Sequence, residues 1–152
     1  MKFTDWEPTY EPILADFGFD RAADEAVRDR AAVFAKPFDL DRLDCAGASV
    51  AVAGAGPSLE STSDLELARG AAPVDAVANY GGFTDGDRAA FLADHCGADR
   101  LVFPGWDFDD PDVDGMKARK LDWAERLLRL LERRRGERFD VLDGRRGWID
   151  PL

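Results

Sequence analysis

Four stretches of this sequence carry residue types suited to phosphate and metal chemistry. Gly81-Gly82-Phe83-Thr84-Asp85-Gly86-Asp87-Arg88 sets two carboxylates two residues apart beside a guanidinium, a combination that suits Mg2+ and a polyphosphate. The same residues also read as an Asp N-cap with surface charge, and spacing alone does not separate the two. Gly54-Ala55-Gly56-Pro57-Ser58-Leu59 follows a β-prone run and precedes helix-starting residues, so its backbone N–H groups could approach a phosphate at a helix N-terminus. It has no third glycine at the dinucleotide-fingerprint position and no Gly-Lys-Ser/Thr, so a tight strand-to-helix connection is the competing reading. Lys117 and Lys120, two of only four lysines, open a long helix where positive charge opposes the macrodipole. They suit a phosphate clamp, or simply neutralise the aspartates before them. Asp107 ends an expected strand, the place where ligands gather in α/β sheets.

Other groupings fall short of chemistry. Asp110, Asp112, Asp114 and Gly115 fit the early positions of a calcium loop, but the position that needs a bidentate Glu is Leu121, so Asp109 to Asp114 is expected to be a solvated acidic loop. His95 and Cys96 have no triad partners by spacing. Trp6, Trp106, Trp123 and Trp148 are expected in a core or interface, with Trp106 beside Asp107 placed to border a ligand.

The elements that must position these residues follow from caps and periodicity. Asp5-Trp6-Glu7-Pro8 starts a helix with proline near N1, Tyr10, Ile13, Leu14 and Phe17 continue it, and Gly18 stops it. Asp20 caps a second, Ala-rich helix to about Ala35, ended by Pro37. Phe38 to Gly47 reads as a loop with one helical turn. Ala48–Ala53, Val74–Tyr80 and Arg100–Pro104 are expected strands, with Phe139–Leu142 as an edge strand. One helix runs from the Gly81–Arg88 loop to about His95. Another covers Lys117 to Arg135, with Leu121, Ala124, Leu128 and Leu131 on one face and Leu127 and Leu130 alongside. Strands alternating with helices predict an α/β layered fold with a mostly parallel sheet.

With 152 residues, 45% hydrophobic and 34% charged, the chain can bury one core and is expected to form a single domain over 1–152: N-terminal helices over 1–37 and an α/β part over 48–152. No apolar run approaches the ~18 residues that span a bilayer, and the first residues lead into charge, which points to the cytoplasm. Cys45 and Cys96 lack metal-ligand spacing and do not suggest a disulfide framework. A net charge of −11 argues against nucleic-acid binding. The acids are 23 Asp and 8 Glu, the bases 16 Arg and 4 Lys, beside 23 Ala, the surface signature of a halophile's protein. Residues 116–146 are net +5, leaving −16 elsewhere. Screening should relieve that repulsion as the Debye length falls to about 3 Å at 1 M salt, so the melting temperature is expected to rise with KCl. A flat profile between about 0.1 M and 2 M would reject the halophile reading.

The order of motifs is more specific than any one of them. Asp5-Trp6 with Tyr10, Asp16-Phe17-Gly18-Phe19-Asp20, Gly54–Leu59, Gly81–Arg88, Gly105-Trp106-Asp107-Phe108 and Lys117-x-x-Lys120-Leu121-x-Trp123-Ala124 together resemble the archaeal 6-hydroxymethyl-7,8-dihydropterin pyrophosphokinase family. The resemblance covers both ends of the chain and lacks the family's central segment. An Asp-rich Thr-Asp-Leu-Asp motif and a His-Ala-His-Gly-Asp-Asn motif have no match here, and the apparent joint falls near Leu67–Ala72. It implies a Rossmann-like fold and Mg2+-dependent transfer of pyrophosphate from ATP to a reduced pterin, toward folate or methanopterin coenzymes. On that expectation, Gly54, Gly56, Pro57 and Ser58 hold ATP. Asp85, Asp87, Arg88, Lys117 and Lys120 serve catalysis, and Asp85, Asp87 and Asp107 hold the metal. A nucleotide-binding remnant without turnover is the alternative.

Overall fold

The computed structural model describes residues 1–34, 39–52, 79–150 and 152. Helix α1 spans Phe3–Phe17 and ends where Gly18 turns left-handed (φ 67°), so that Phe19 N–H reaches Leu14 O at 2.9 Å. Pro8, expected near the first turn, lies inside this helix together with Pro12. Helix α2 covers Arg21–Phe34, with Asp20 accepting from Ala22 N–H at 3.1 Å. A single 3-10 turn, Leu40–Arg42, occupies the following loop.

Strand β1 (Ser49–Ala51) pairs in parallel with β2 (Arg100–Val102), Val50 opposite Leu101, and Val52 N–H extends the ladder to Val102 O at 2.8 Å. Parallel neighbours need a crossover of a dozen residues or more, and helix α3 (Asp85–His95) lies within this one. Helix α4 (Gly115–Arg135) starts at an Asp114 cap, whose carboxylate accepts from Lys117 N–H at 2.7 Å, and stops at left-handed Gly136. The result is mixed α/β with a small parallel sheet, as expected.

Two expectations change. Phe139–Leu142 is no edge strand: Asp140–Leu142 forms a 3-10 turn that buries Phe139 and Leu142. The expected strand Val74–Tyr80 lies outside the described residues from 74 to 78, and Asn79 and Tyr80 belong to no strand.

One apolar cluster joins Trp6 and Ile13 of α1, Phe91 of α3, Leu101 of β2, Trp123, Leu127, Leu128 and Leu131 of α4, and Phe139 and Leu142. Each large side chain so buried contributes roughly 1.5–3 kcal/mol. Asp16 fastens α1 to α4 by accepting from Trp123 Nε1 at 2.8 Å and from Arg119 at 3.0 Å. Arg135, at the end of α4, ties Asp94 of α3 (2.8 Å) and Glu137 (2.7 Å) to the carbonyl of Ala98 (2.8 Å), while Glu137 accepts from Leu101 N–H at 3.0 Å. The outer edge of β2 is thus closed by side chains from the end of α4 and the turn after it.

The net positive stretch at 116–146 acquires its explanation here. Arg119, Arg126, Arg129, Arg135, Arg138, Arg145 and Arg146 all make ion pairs with carboxylates. Most of that charge holds the fold together. Among the described residues no helix is long and apolar enough to cross a membrane.

Candidate functional site

The carboxyl ends of β1 and β2 meet the N-terminus of α3, and the meeting is made by Trp106. Its indole N–H donates to Val52 O at 2.8 Å, its ring packs over Gly86, and Phe103 meets it edge-on at 5.7 Å. A Cβ at Gly86 would come within 2.5 Å of the Trp106 ring, so this position admits no side chain unless the ring moves. Trp106, expected in a core or interface and able to border a ligand, locks α3 onto the sheet. A groove of about 400 Å³ opens next to it, walled by Val102, Phe103, Pro104, Arg100 and Arg138.

The loop before α3 needs glycine twice. Gly81 and Gly82 have φ of 103° and 91°, and a Cβ on Gly82 would lie 2.6 Å from the backbone of Arg88. Thr84 is the N-cap, and Asp87, three residues on, closes a capping box. The Asp87 carboxylate is fully buried and accepts from Phe83 N–H, from Thr84 N–H at 3.0 Å and from the Thr84 hydroxyl at 2.6 Å. The N-cap is therefore Thr84 and not the expected aspartate, and the Thr-x-x-Asp spacing is the signal that marks it. Burial pushes the Asp87 carboxyl up to about 6, against the pull of those hydrogen bonds and of Arg88.

That shift has a sign. A folded pKa above the unfolded value of about 3.9 means that Asp87 supports folding most fully below that value, and loses this contribution as pH rises through about 6. Asp87→Ala is expected to cost about 1–2 kcal/mol by stripping a cap from three donors. Urea unfolding at a pH below the folded value of about 6 measures the loss, and a cost under about 0.3 kcal/mol would show that the cap is dispensable.

Arg88 follows directly and is half-buried. Among the described residues it makes no ion pair and no side-chain hydrogen bond, and its Nε is buried without a partner. Its charge acts on Asp87 and on Tyr10, whose hydroxyl donates to Asp24. Asp85 occupies the first position of α3, half-buried. Asp107 is exposed, next to Trp106, and accepts from Asp109 N–H at 2.9 Å. Asp110 and Asp114 likewise accept from backbone N–H groups at Asp112 and Lys117, so the acidic loop is a chain of local turns and caps. Among the described residues no three His, Cys, Asp or Glu side chains converge as a metal-binding group.

Lys117 is exposed and Lys120 half-buried on the opening turns of α4, and among the described residues neither makes an ion pair. They belong to the same end of the molecule: neighbouring Arg119 lies 4.7 Å over the Phe17 ring, and Phe17 meets Phe83 at 4.9 Å. Gly54, Gly56, Pro57 and Ser58 lie outside the described residues, whose β1 segment ends at Val52. The structure therefore sets Asp85 and Asp107 next in the chain to the contacting pair Gly86 and Trp106, keeps Arg88 against the Gly82 turn, and commits Asp87 to the helix cap. Uncommitted cations at a helix N-terminus suit an anionic ligand.

No family model matches the chain. Over 75 residues it is 44% identical to the 6-hydroxymethyl-7,8-dihydropterin pyrophosphokinase of Methanothermobacter thermautotrophicus, covering 40% of this chain and 32% of that protein. Proteins of the same name from Pyrococcus furiosus and Methanocaldococcus jannaschii are 42% and 39% identical over 73 and 70 residues. These matches cover 40% and 37% of this chain, and 32% and 29% of those relatives. The matched part of the chain thus spans about a third of the length of the curated relatives, and the resemblance drawn from motif order is sustained over it.

Proposed function

We propose that the chain acts as a pyrophosphokinase, taking ATP and a reduced pterin that bears a hydroxymethyl group, at the carboxyl edge of β1 and β2. The observation that carries this reading is the 44% identity over 75 residues to a protein named for that activity. In such a transfer the hydroxymethyl oxygen attacks the β-phosphorus and the bond from that phosphorus to the α,β-bridging oxygen breaks. AMP leaves, and the hydroxyl proton passes to solvent. Little covalent work falls to the protein, so placement and charge supply the acceleration.

Arg88, with its unpartnered Nε, is the guanidinium best placed to meet phosphate oxygens, and the amides that open α3 face the same negative charge. Lys117 and Lys120 add cations from α4, and Gly54, Gly56, Pro57 and Ser58, outside the described residues, are the proposed ATP contacts. Mg2+ takes one or two carboxylates and fills its remaining positions with waters and phosphates. Asp85 and Asp107 fit that need, whereas the buried and saturated Asp87 positions the helix that presents Asp85. When bound, the ion would draw negative charge from the bridging oxygen.

A second reading, a nucleotide-binding remnant without turnover, is favoured by one observation: about a third of each relative's length is matched. Folded protein in molar KCl, supplied with Mg2+, ATP and 6-hydroxymethyl-7,8-dihydropterin, is assayed for AMP. AMP above background supports the enzyme. ATP binding by calorimetry with no AMP supports the remnant, and absence of both removes the two readings together.

A further inference from the structure

Away from the candidate site, at the amino ends of the strands, the two cysteines face each other. Cys45 precedes a turn in which Ala48 N–H donates to Cys45 O at 3.0 Å, and Cys96 caps the end of α3. The segments they sit on are stitched together. Ala46 bridges Ala98 in antiparallel fashion, Asp99 N–H donates to Ala48 O at 2.9 Å, and a Cβ at Gly97 would lie 3.8 Å from the Cα of Ala46. Both thiols are free and half-buried, and burial together with the nearby Cys45 side chain pushes the Cys96 thiol up. Beside Cys96 an open recess is lined by Leu40, Leu43, Asp44 and His95, so a small reagent has access to the pair.

We propose that Cys45 and Cys96 form a reversible intramolecular disulfide by exchange with a small-molecule disulfide. One cysteine, as its thiolate, attacks a sulfur of the reagent; a mixed disulfide forms and the first small thiolate leaves. The other cysteine gives up its proton and attacks the protein sulfur of that mixed disulfide, expelling the second small thiolate. Two protein thiols are oxidised, one reagent disulfide is reduced to two thiols, and the protons end on those thiols. Each cysteine adjoins a residue of the contacting pair Ala46 and Gly97, so the two backbone segments already lie side by side, as a disulfide's short reach demands. The bond fastens the loop before β1 to the end of α3, on the edge of the sheet opposite Trp106 and Arg88.

The test uses the full chain, folded, incubated with oxidised glutathione. Loss of both titratable thiols, no retained glutathione and a Cys45–Cys96 linked peptide on digestion are expected, with both thiols restored by dithiothreitol. Cys45→Ser and Cys96→Ser should each retain one glutathione under the same conditions. Wild-type protein that keeps its thiols, retains glutathione adducts, forms cross-linked dimers or fails to recover on reduction would overturn the proposal. The peptide map of wild-type protein decides the matter even if a variant does not fold.

Discussion

Replacing Glu132 by alanine is expected to cost about 3–5 kcal/mol of stability, a large share of a domain's ordinary margin of about 5–15 kcal/mol. Glu132 sits on α4 with its carboxylate 3% exposed. It accepts from Phe139 N–H at 2.8 Å, from Arg146 Nε at 3.1 Å and Nη2 at 2.5 Å, and from Arg129. Arg146 then spends its other donors on the carbonyls of Phe139 (2.8 Å) and Leu142 (3.1 Å) and on Asp143 (2.6 Å). Deleting the carboxylate leaves a buried amide and a largely buried guanidinium without their acceptor, and it loosens the 3-10 turn that carries Phe139 and Leu142 into the core. Glu132→Gln keeps the shape and should lose less. Urea midpoints in molar KCl measure both, and a loss under about 1 kcal/mol for alanine would mean that the network is ornamental.

The same group predicts an acid limb. Burial works against the ionised form, yet hydrogen bonds from Arg146, Phe139 N–H and Arg129 hold the Glu132 carboxyl below its ordinary range. With its folded pKa below the unfolded value of about 4.3, its contribution is complete above that value and disappears as pH falls through the folded pKa. Glu132→Gln should flatten that part of the stability profile. It should leave untouched the change between about 4 and 6 that belongs to Asp87, whose shift has the opposite sign.

Arg88→Ala is expected to weaken ATP binding by roughly tenfold to a hundredfold, the worth of one or two charge-assisted hydrogen bonds, with little change in stability. The two effects separate because, among the described residues, Arg88 makes no ion pair or side-chain hydrogen bond whose loss would disturb the fold. Arg88→Lys should recover part of the affinity, since an ammonium keeps the charge and loses the fork. Calorimetry with ATP reads the affinity and thermal unfolding reads the fold. Unchanged affinity in a folded Arg88→Ala protein would remove Arg88 from the site.

Local physics was legible in the sequence. Periodicity placed α4 within two residues and the end of α3 at His95, because a leucine stripe acts within a few turns of itself, whereas α3 begins at Asp85, inside the stretch expected as a loop. The two short strands and the end of α1 at Gly18 were legible for the same reason. Phe139–Leu142 was misread because a short apolar run has no period of its own, and its burial comes from the Glu132 and Arg146 network around it.

Motif order by itself determined the likeness to the archaeal pyrophosphokinases, and composition determined the acidic surface. The roles within the motifs were decided by tertiary structure. Asp85 and Asp87 look alike in sequence. The chain folds Asp87 under the Thr84 cap and out of water, while Asp85 stays at the helix entrance. The arginines of the last helix read as a basic face, yet their partners, Asp16, Asp94 and Asp150 among them, stand up to about a hundred residues away, and only packing brings them together. The same holds for Cys45 beside Cys96 and for Trp106 on Gly86. A cap is read along a few residues, whereas desolvation and pairing depend on which distant atoms exclude the water, and that is settled only when the core closes.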